Sequence, residues 1–197
     1  MKIGVLALQG AFIEHQHMLD RLNVETIDVR LPEQLDAISS LIIPGGESTT
    51  IGKLAEAYNF MVPLQQFAQK KPIWGTCAGM IFIAKHLDNH HQPTLGVMDI
   101  MVQRNAFGRQ VDSFITSLDI PELTTYSPEP FPCVFIRAPA VLDFGPSVQI
   151  LSRLPDDSIV AVKEKHFLAT AFHPELTDDL RFHRFFLDMT INHHKNF

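Results

Sequence analysis

Cysteine is scarce in this sequence, and long apolar runs are missing. The 197 residues include two cysteines, Cys77 and Cys133, whereas a small secreted protein held together by disulfides would carry more. No stretch approaches the roughly 18 consecutive apolar residues of a membrane span, and the apolar N-terminus reaches Gln9 too soon for a signal sequence. These absences exclude the disulfide-rich and membrane-spanning classes and predict a cytoplasmic protein with free thiols.

Positive charge is also in short supply. Sixteen Lys and Arg stand against 22 Asp and Glu, which gives a formal net charge of −6, whereas proteins that bind nucleic acids usually present a basic face. Only 19% of the residues are charged, which argues against long disordered segments, and 46% are hydrophobic, which is enough for a substantial core. The composition predicts one folded domain spanning residues 1–197, without a nucleic-acid partner.

Apolar strands and amphipathic helices alternate along the first half of the chain. Continuous apolar runs typical of buried parallel strands are followed by segments with apolar residues at helical spacing. The predicted strands are residues 2–8, 24–29, 41–43 and 72–75, and the predicted helices are residues 12–22, 48–58 and 78–86. Ser48 is expected near the N-cap of the second helix. This alternation predicts an α/β fold, a three-layer doubly wound sheet that is mostly parallel.

The second half contains strands with few helices between them. The predicted strands are residues 97–103, 113–118, 133–136, 148–151, 159–162 and 167–172. Strands that follow one another without helices usually pair antiparallel, so an antiparallel portion is expected on the parallel sheet. Residues 121–132 are rich in proline and are predicted to form an exposed connection. An amphipathic helix is predicted at residues 179–193, near the end of the chain.

Residues 75–79, GTCAG, place a cysteine between two glycines, after an apolar strand and before a helix. This is the glycine–x–nucleophile–x–glycine elbow, with Cys77 at the position where other hydrolases have serine. The tight turn lifts the side chain clear of the sheet, and the positive end of the following helix favours the thiolate. The alternative is a buried structural cysteine flanked by chance glycines, and the strand–turn–helix context argues against it.

A histidine and a glutamate, His173 and Glu175, follow the predicted strand 167–172. A cysteine hydrolase needs a base that takes the thiol proton and returns it to the leaving amine, and a partner that holds the imidazole in one tautomer. Pro174 favours an extended conformation at His173, and residues two apart in an extended chain point to the same side. We therefore expect His173 and Glu175 to lie side by side, although such a pair alone is more often an ordinary surface pair.

Residues 44–50, PGGESTT, form a glycine-rich loop after another strand. Paired glycines let backbone N–H groups point into a site, where they can stabilise the oxyanion that forms when sulfur attacks a carboxamide. A phosphate-binding loop is the alternative. Its pattern, G-x-x-x-x-G-K-[ST], is not met between Gly46 and Lys53, so the oxyanion role is preferred.

Histidines at several places raise the question of a metal site. The adjacent pairs at residues 90–91 and 193–194 are of the kind usually solvated on loops and termini, and no cysteine stands at zinc-site spacing from them. His15 and His17 lie two residues apart on a predicted helix, so they do not share a face. The sequence therefore predicts no metal site.

The order of the three chemical motifs, oxyanion loop, cysteine elbow and His-x-Glu, resembles the class I (triad) glutamine amidotransferases. Within that superfamily the sequence looks like the glutaminase family of pyridoxal phosphate synthase. The resemblance covers residues 2–186 and is carried by GVLALQG (4–10), PGGESTT (44–50), RNAFGRQ (104–110), FIRAP (135–139) and FHPELT (172–177). The RNAFGRQ and FIRAP blocks distinguish this family from its relatives.

The resemblance implies a role for each residue at a matching position. Cys77 is expected to be the nucleophile, His173 the general base and acid, and Glu175 its orienting partner. The backbone N–H groups of Gly46 and Ala78 are expected to form the oxyanion hole. The positions that match those holding glutamine in the family are Gly46, Glu47, Ser48, Arg104, Ile136 and Arg137.

The charges among these positions suit free glutamine, which carries an α-carboxylate and an α-ammonium. An arginine can bind the carboxylate through paired N–H donors, and Glu47 can meet the ammonium. Arg104 and Arg137 can equally be structural ion-pair partners, and the sequence leaves their roles open.

The resemblance implies hydrolysis of L-glutamine to L-glutamate and ammonia through a cysteine thioester, without a cofactor. The ammonia would pass to a barrel-shaped synthase subunit, in a hetero-oligomer that makes pyridoxal 5′-phosphate. Gln9 and Gly10 match the surface that meets this subunit in the family.

Three alternative functions remain. The first is the glutaminase subunit of imidazole glycerol phosphate synthase, and the RNAFGRQ block argues against it. The second is a peptidase-like relative, and the His-x-Glu spacing argues against it. The third is a non-catalytic scaffold, and the intact triad argues against it.

Overall fold

The computed structural model of the protein describes residues 1–108 and 113–195, and its first half alternates strands and helices as the sequence predicts. The elements there are β1 (Lys2–Leu6), α1 (Phe12–Asp20), β2 (Glu25–Val29), a 3-10 turn (Pro32–Ala37), β3 (Ser40–Ile43), α2 (Ser48–Ala57), α3 (Met61–Ala68), β4 (Ile73–Thr76) and α4 (Ala78–Ile83). The side chains of β1, β3 and β4 are almost all buried, as expected for parallel strands covered on both faces.

Strands dominate the second half of the chain. The elements there are β5 (Ala84–Leu87), β6 (Met98–Gln103), β7 (Ser113–Leu118), a 3-10 turn (Pro121–Leu123), β8 (Phe131–Ile136), β9 (Ala140–Phe144), β10 (Gln149–Arg153), β11 (Ile159–Glu164), β12 (Phe167–Thr170), a 3-10 turn (Pro174–Leu176) and α5 (Arg181–Lys195). Among the residues that the structure describes, no helix combines the length and the hydropathy needed to cross a bilayer.

Ten of the described strands form one sheet, in the order β2-β1-β3-β4-β12-β11-β9-β6-β5, with β10 added beside β11. The pairs from β2 to β12 are parallel. β11 runs antiparallel to β12, β9 and β10, and β7 and β8 form a separate antiparallel ribbon. The predicted α/β sheet, mostly parallel with an antiparallel addition, is confirmed.

Three parallel neighbours, β3, β4 and β12, place their carboxyl ends side by side. Trp74 of β4 pairs with Ile42 of β3 on one side and with Leu168 of β12 on the other. The segments that follow these strands are therefore close in space, and they carry the glycine-rich loop, Cys77 and His173. This edge of an open α/β sheet is where ligands commonly bind.

Aromatic side chains join the sheet to α5. The fully buried Trp74 ring stacks on Phe182 of α5, with centroids 6.0 Å apart, and lies 5.6 Å from the Phe186 ring. Phe182 also meets Phe131 of β8 edge to face at 4.8 Å. Because each of these rings buries a large apolar area, the cluster fixes α5 on the sheet and keeps β8 beside it.

The structure corrects two parts of the predicted element pattern. The helix predicted at residues 78–86 ends at Ile83, and the following residues form β5, which pairs with β6. All six residues of α4 are buried, so the segment has no polar face whose period would distinguish a helix from a strand. Helix α3 and strand β9 were not predicted.

The proline-rich segment 121–132 is less exposed than predicted. The side chains of Leu123 and Phe131 within it are buried. Arg181 of α5 holds the segment by donating a hydrogen bond to the main-chain carbonyl of Ser127 at 3.2 Å. The segment is therefore an exposed connection in part, as predicted, and two apolar side chains anchor it to the core.

Candidate active site

Cys77 occupies a tight elbow between β4 and α4. Its φ of 48° lies in the left-handed region, which is strained for a residue with a side chain, and its N–H donates to the Thr170 carbonyl at 2.7 Å. A Cβ atom on Gly75 would collide with the Gly79 backbone, and one on Gly79 would collide with the Ile43 carbonyl. The predicted strand–turn–helix geometry is confirmed, and close backbone approach requires both glycines.

His173 and Glu175 lie side by side, but through a different backbone path from the predicted one. His173 Nδ1 is 2.7 Å from Glu175 Oε1, and both residues are buried. The extended conformation predicted for the whole segment ends at His173, because Pro174–Leu176 form a 3-10 turn that returns the carboxylate to the ring. Since the carboxylate engages Nδ1, Nε2 is the ring nitrogen that remains free of it.

The pKa of His173 is raised to about 10. Burial acts to lower this pKa, but interaction with the neighbouring Cys77 side chain and with the Glu175 carboxylate, which contacts the ring at 2.7 Å, outweighs the burial. The ring is therefore an imidazolium at neutral pH, beside the sulfur. Cys77 Sγ also lies 3.8 Å from the Ile136 carbonyl, to which a thiol can donate. The structure thus brings together the three residues predicted as a triad.

The glycine-rich loop after β3 is held from the side of α1. The Ala11 N–H donates to the Gly45 carbonyl at 3.0 Å, and the Glu47 N–H donates to Gln9 Oε1 at 2.9 Å. In a trans peptide the carbonyl of one residue and the N–H of the next point in opposite directions. The Gly46 N–H therefore points away from α1.

The turn between β1 and α1 fits closely against this loop. Gly10 has a φ of 97°, and a Cβ atom on it would overlap the Gly45 carbonyl. The Gln9 amide lies so close to Gly46 that a Cβ atom there would collide with it. The two residues predicted to be linked to a partner are therefore in contact with the predicted oxyanion loop.

A pocket of about 220 Å³ opens over Cys77. This volume is below the range usual for drug-sized ligands, which suits a free amino acid. All the residues predicted to bind substrate line it, namely Gly46, Glu47, Ser48, Arg104, Ile136 and Arg137. Cys77, Ala78 and His173 line it as well, together with Ile81 and Asn105, which were not predicted.

Glu47 makes contacts beyond the role predicted for it. Its carboxylate accepts hydrogen bonds from the N–H groups of Thr49 and Thr50, at 3.1 and 2.7 Å, so Glu47 rather than Ser48 is the N-cap of α2. Partial burial acts to raise the pKa of Glu47, but hydrogen bonds from Thr50 and Thr49 lower it overall. Arg104 Nη2 lies 3.2 Å from the same carboxylate. Glu47 is therefore an anion at the pocket rim.

Arg104 and Arg137 are held differently. Arg104 Nη1 donates to Gln92 Oε1 at 2.8 Å and to Thr49 Oγ1 at 3.2 Å, which fixes the guanidinium at the rim. Arg137 is exposed and has a left-handed φ of 45°. The ion pair of Arg104 with Glu47 agrees with the structural role considered for that arginine, although both arginines line the pocket.

Arg109 and Gln110, which end the RNAFGRQ block, lie outside the described residues. Within residues 1–108 and 113–195, no three His, Cys, Asp or Glu side chains are grouped so that they could hold a metal ion.

Three buried polar residues behind the site were not predicted to belong to it. His15, Thr76 and His183 are fully buried, and His15 contacts both of the others and lies 3.4 Å from Glu175. The signal that could have identified His15 is its spacing, because buried apolar residues follow it three and four positions later on α1. That period places His15 on the buried face of the helix.

Residues 5–192 match the sequence profile of the SNO glutamine amidotransferase family. Two curated relatives are similar over nearly their whole length. The pyridoxal 5′-phosphate synthase subunit PdxT of Carboxydothermus hydrogenoformans is 57% identical, over 95% of this chain and 97% of the relative. The subunit of the same name from Herpetosiphon aurantiacus is 56% identical, over 96% of this chain and 100% of the relative.

Solved structures agree with the fold. A crystal structure of a glutamine amidotransferase matches with a TM-score of 0.88 at 46% sequence identity, over 95% of this chain and 98% of that one. The structure of PurLQS from Thermotoga maritima matches with a TM-score of 0.66 at 17% identity, over 95% of this chain and 97% of that one. At that identity the second match supports the fold alone.

Proposed function

The chain belongs to the SNO glutamine amidotransferase family, and we propose that Cys77, His173 and Glu175 form its catalytic triad. The protein is a glutaminase of vitamin B6 synthesis, which hydrolyses L-glutamine to L-glutamate and ammonia. The observation that supports the triad is the buried contact of Glu175 with His173, at 2.7 Å, beside a thiol at the start of a helix.

In the first half-reaction the Cys77 sulfur attacks the side-chain amide carbon of glutamine. The thiolate forms beside the His173 imidazolium, whose pKa of about 10 keeps it protonated at neutral pH. We assign stabilisation of the resulting oxyanion to the backbone N–H groups of Gly46 and Ala78. The C–N bond then breaks, His173 gives its proton to the departing ammonia, and a thioester remains on Cys77.

In the second half-reaction water cleaves the thioester. The neutral His173 takes a proton from water as the oxygen adds to the thioester carbon. The C–S bond then breaks, glutamate leaves, and the Cys77 thiolate lies again beside the re-formed imidazolium. Glu175 stabilises this imidazolium in both halves by accepting its Nδ1–H.

Charges at the pocket rim support recognition of free glutamine. We assign the α-ammonium to Glu47, whose pKa is lowered by hydrogen bonds, and the α-carboxylate to Arg104 or Arg137. Arg104 and Glu47 pair at 3.2 Å, so they present opposite charges at a spacing close to that of the two charged groups of an α-amino acid.

We infer that ammonia passes to a barrel-shaped synthase subunit in a hetero-oligomer. Ammonia released into bulk water would be protonated and lost, so a docked partner is needed to receive it. Gln9 contacts the loop that carries Gly46, and Gly10 packs on Gly45, so a protein bound to this surface could act on the oxyanion loop. A reducing, cytoplasmic setting would keep the Cys77 thiol free.

Glutamate production by the purified chain tests this proposal. We expect the rate to rise when the synthase subunit of pyridoxal 5′-phosphate synthase is added. The barrel subunit of imidazole glycerol phosphate synthase is the matched control and should have no effect. Equal stimulation by both subunits would contradict the proposed partner, and absence of glutamate under all three conditions would contradict the glutaminase assignment.

A further inference from the structure

One oxygen of Glu175 faces a second histidine. Oε1 contacts His173, while Oε2 is buried without a hydrogen-bond partner among the described residues and lies 3.4 Å from Nε2 of His15. A buried carboxylate oxygen needs a nearby donor to offset its lost hydration. Nε2 of His15 also contacts Oγ1 of Thr76, so an N–H on Nε2 would approach the carboxylate as a dipole at 3.4 Å and not as the donor of a formed hydrogen bond.

His15 is itself held at both ring nitrogens. Nδ1 lies 2.9 Å from Nε2 of His183, and Nε2 lies 3.2 Å from Oγ1 of Thr76. The ring also meets Trp74 edge to face, with centroids 5.5 Å apart. Contacts from β4, from α5 and from the turn that carries Glu175 therefore fix this side chain of α1.

These contacts favour one tautomer for each ring. Burial lowers the pKa of His15 well below its ordinary value and that of His183 to about 3, so both rings are neutral and each carries one N–H. When His183 donates its Nε2–H to Nδ1 of His15, His15 carries its proton on Nε2, on the side of Thr76 and Glu175.

The reverse tautomers are disfavoured at two points. His15 would turn a lone pair of Nε2 towards the Glu175 carboxylate. His183 would carry its N–H on Nδ1, which is buried without a hydrogen-bond partner in the described structure. A buried N–H without an acceptor loses its hydration without compensation, so the first arrangement is preferred.

We propose that His15 is a positioning residue of this glutaminase: its Nε2–H steadies the Glu175 carboxylate against His173, and His183 sets the tautomer that allows it. The inference rests on the proposed function, because it deepens the role of Glu175 in the triad. The triad then lies at one end of a buried series of polar side chains. The series begins at His183 of α5, passes through His15 of α1 and ends at the sulfur of Cys77.

Burial keeps His15 neutral while the enzyme works, although the Glu175 carboxylate beside it acts in the opposite direction. Glu175 and His173 face it from the segment after β12, and the positive charge of His173 adds to burial in lowering its pKa. His183 faces it from α5, and the positive charge of Arg21 adds to burial in lowering the pKa of His183. We therefore expect His15 to act as a neutral donor over the whole working range of pH.

Kinetics in the presence of the synthase subunit distinguish positioning from a general structural role. His15→Leu removes the N–H donor and should lower kcat about 10- to 100-fold. KM for glutamine should change by less than about twofold, because His15 is not among the described residues that line the pocket. His15→Gln keeps an N–H donor and should recover most of the lost kcat. Thr190→Val, which removes a buried hydrogen bond from α5 to Ser40, is the matched control and should leave kcat and KM unchanged.

The tautomers can be measured without any activity assay. Nitrogen-15 NMR spectra of the histidine rings in the unmodified chain should show His15 and His183 each protonated on Nε2. The variants His15→Gln and His183→Gln assign the signals. Because it reads the ring protons of the unmodified chain, this measurement decides the question even where a variant loses its activity.

The outcomes separate this inference from the proposed function. Unchanged kcat in His15→Leu, an equal loss in Thr190→Val, or a His15 proton on Nδ1 would each overturn the positioning role and leave the glutaminase assignment standing. The proposed function fails differently: the unmodified chain would make no glutamate with the synthase subunit, whatever the ring tautomers are.

Discussion

Gly45 packs directly against the imidazole ring of His173, so that a Cβ atom on residue 45 would overlap Cε1 of the ring. The contact joins the loop after β3 to the segment after β12, and the same Cβ atom would also touch the side chain of Cys77. These segments meet because β3, β4 and β12 are neighbours in the sheet. The position of the proposed base therefore depends on the absence of a side chain in an adjacent loop.

Gly45→Ala should displace the His173 ring and lower kcat for glutamine hydrolysis about 100-fold, because small errors in the placement of a catalytic group have large effects on rate. Gly96→Ala is the control, since a Cβ atom there meets nothing within 4 Å in the described structure. Residue 96 has a φ of 69°, which strains an alanine, so the Gly96→Ala protein should lose about 1 kcal/mol of unfolding free energy and keep its kcat. Steady-state kinetics and urea unfolding measure both effects, and a wild-type kcat in Gly45→Ala would disprove the steric argument.

Cys77→Ala should abolish glutamine hydrolysis, with a loss of at least about 1,000-fold, because the thioester can no longer form. Binding of the synthase subunit should be largely retained. Cys133→Ala is the matched control, because Cys133 is a fully buried strand residue and burial raises the pKa of its thiol. Its removal should reduce stability and leave kcat intact. Full activity in Cys77→Ala would remove the nucleophile assignment.

Arg104→Lys should raise KM for glutamine about 10- to 100-fold and change kcat less, because a lysine cannot reproduce the forked contacts with Gln92 and Glu47. Arg137→Lys, measured beside it, shows which arginine binds the α-carboxylate, since the larger rise in KM marks that residue. Arg153→Lys is the control, because Arg153 donates to a main-chain carbonyl outside the pocket. Unchanged KM in both pocket variants would exclude the arginines from substrate binding.

The free energy of unfolding should fall as the pH rises above neutrality, because His173 holds its proton more tightly in the folded protein. Its pKa is raised from 6.5 to about 10, so between these values the folded chain holds a proton that the unfolded chain has lost. The stabilisation is complete below pH 6.5 and is lost as the pH rises through about 10, by at most about 1.4 kcal/mol per pH unit.

Urea unfolding followed by the fluorescence of Trp74, the single tryptophan, measures this slope. The free energy of unfolding of His173→Gln should fall less steeply between about pH 7 and pH 9 than that of the unmodified chain. His17→Gln, a change at an exposed histidine of α1, should keep the full slope. Parallel curves for the unmodified chain and His173→Gln would contradict the raised pKa.

Local patterns in the sequence were sufficient wherever the chemistry is local. The glycines around Cys77 predicted the elbow, and for Gly75 the reason is local, because its close approach is to the backbone of Gly79. Gly79 itself approaches the Ile43 carbonyl of a neighbouring strand. The proximity of His173 and Glu175 was also predicted, but the 3-10 turn that achieves it was not, because proline is compatible with both backbone paths.

Where burial removes the contrast between polar and apolar faces, the sequence was a poor guide. The six buried residues of α4 do not indicate where the helix ends, so the residues of the strand Ala84–Leu87 were predicted to belong to the helix.

The sequence predicted one role of Glu47 and missed another. Glu47 was predicted to bind substrate, and its side chain also caps α2, because its two oxygens reach the N–H groups of Thr49 and Thr50.

The sequence by itself determined the α/β strand pattern, the elbow that presents Cys77 and the candidates for base and carboxylate, because each depends on residues a few positions apart. Only the tertiary structure decided that His15 lies behind Glu175 and that Gly45 lies against His173. These contacts join segments far apart in the chain, and they arise from the order of strands in the sheet and from where α1 packs. Neither is encoded in local periodicity, since the same apolar runs are compatible with several strand orders.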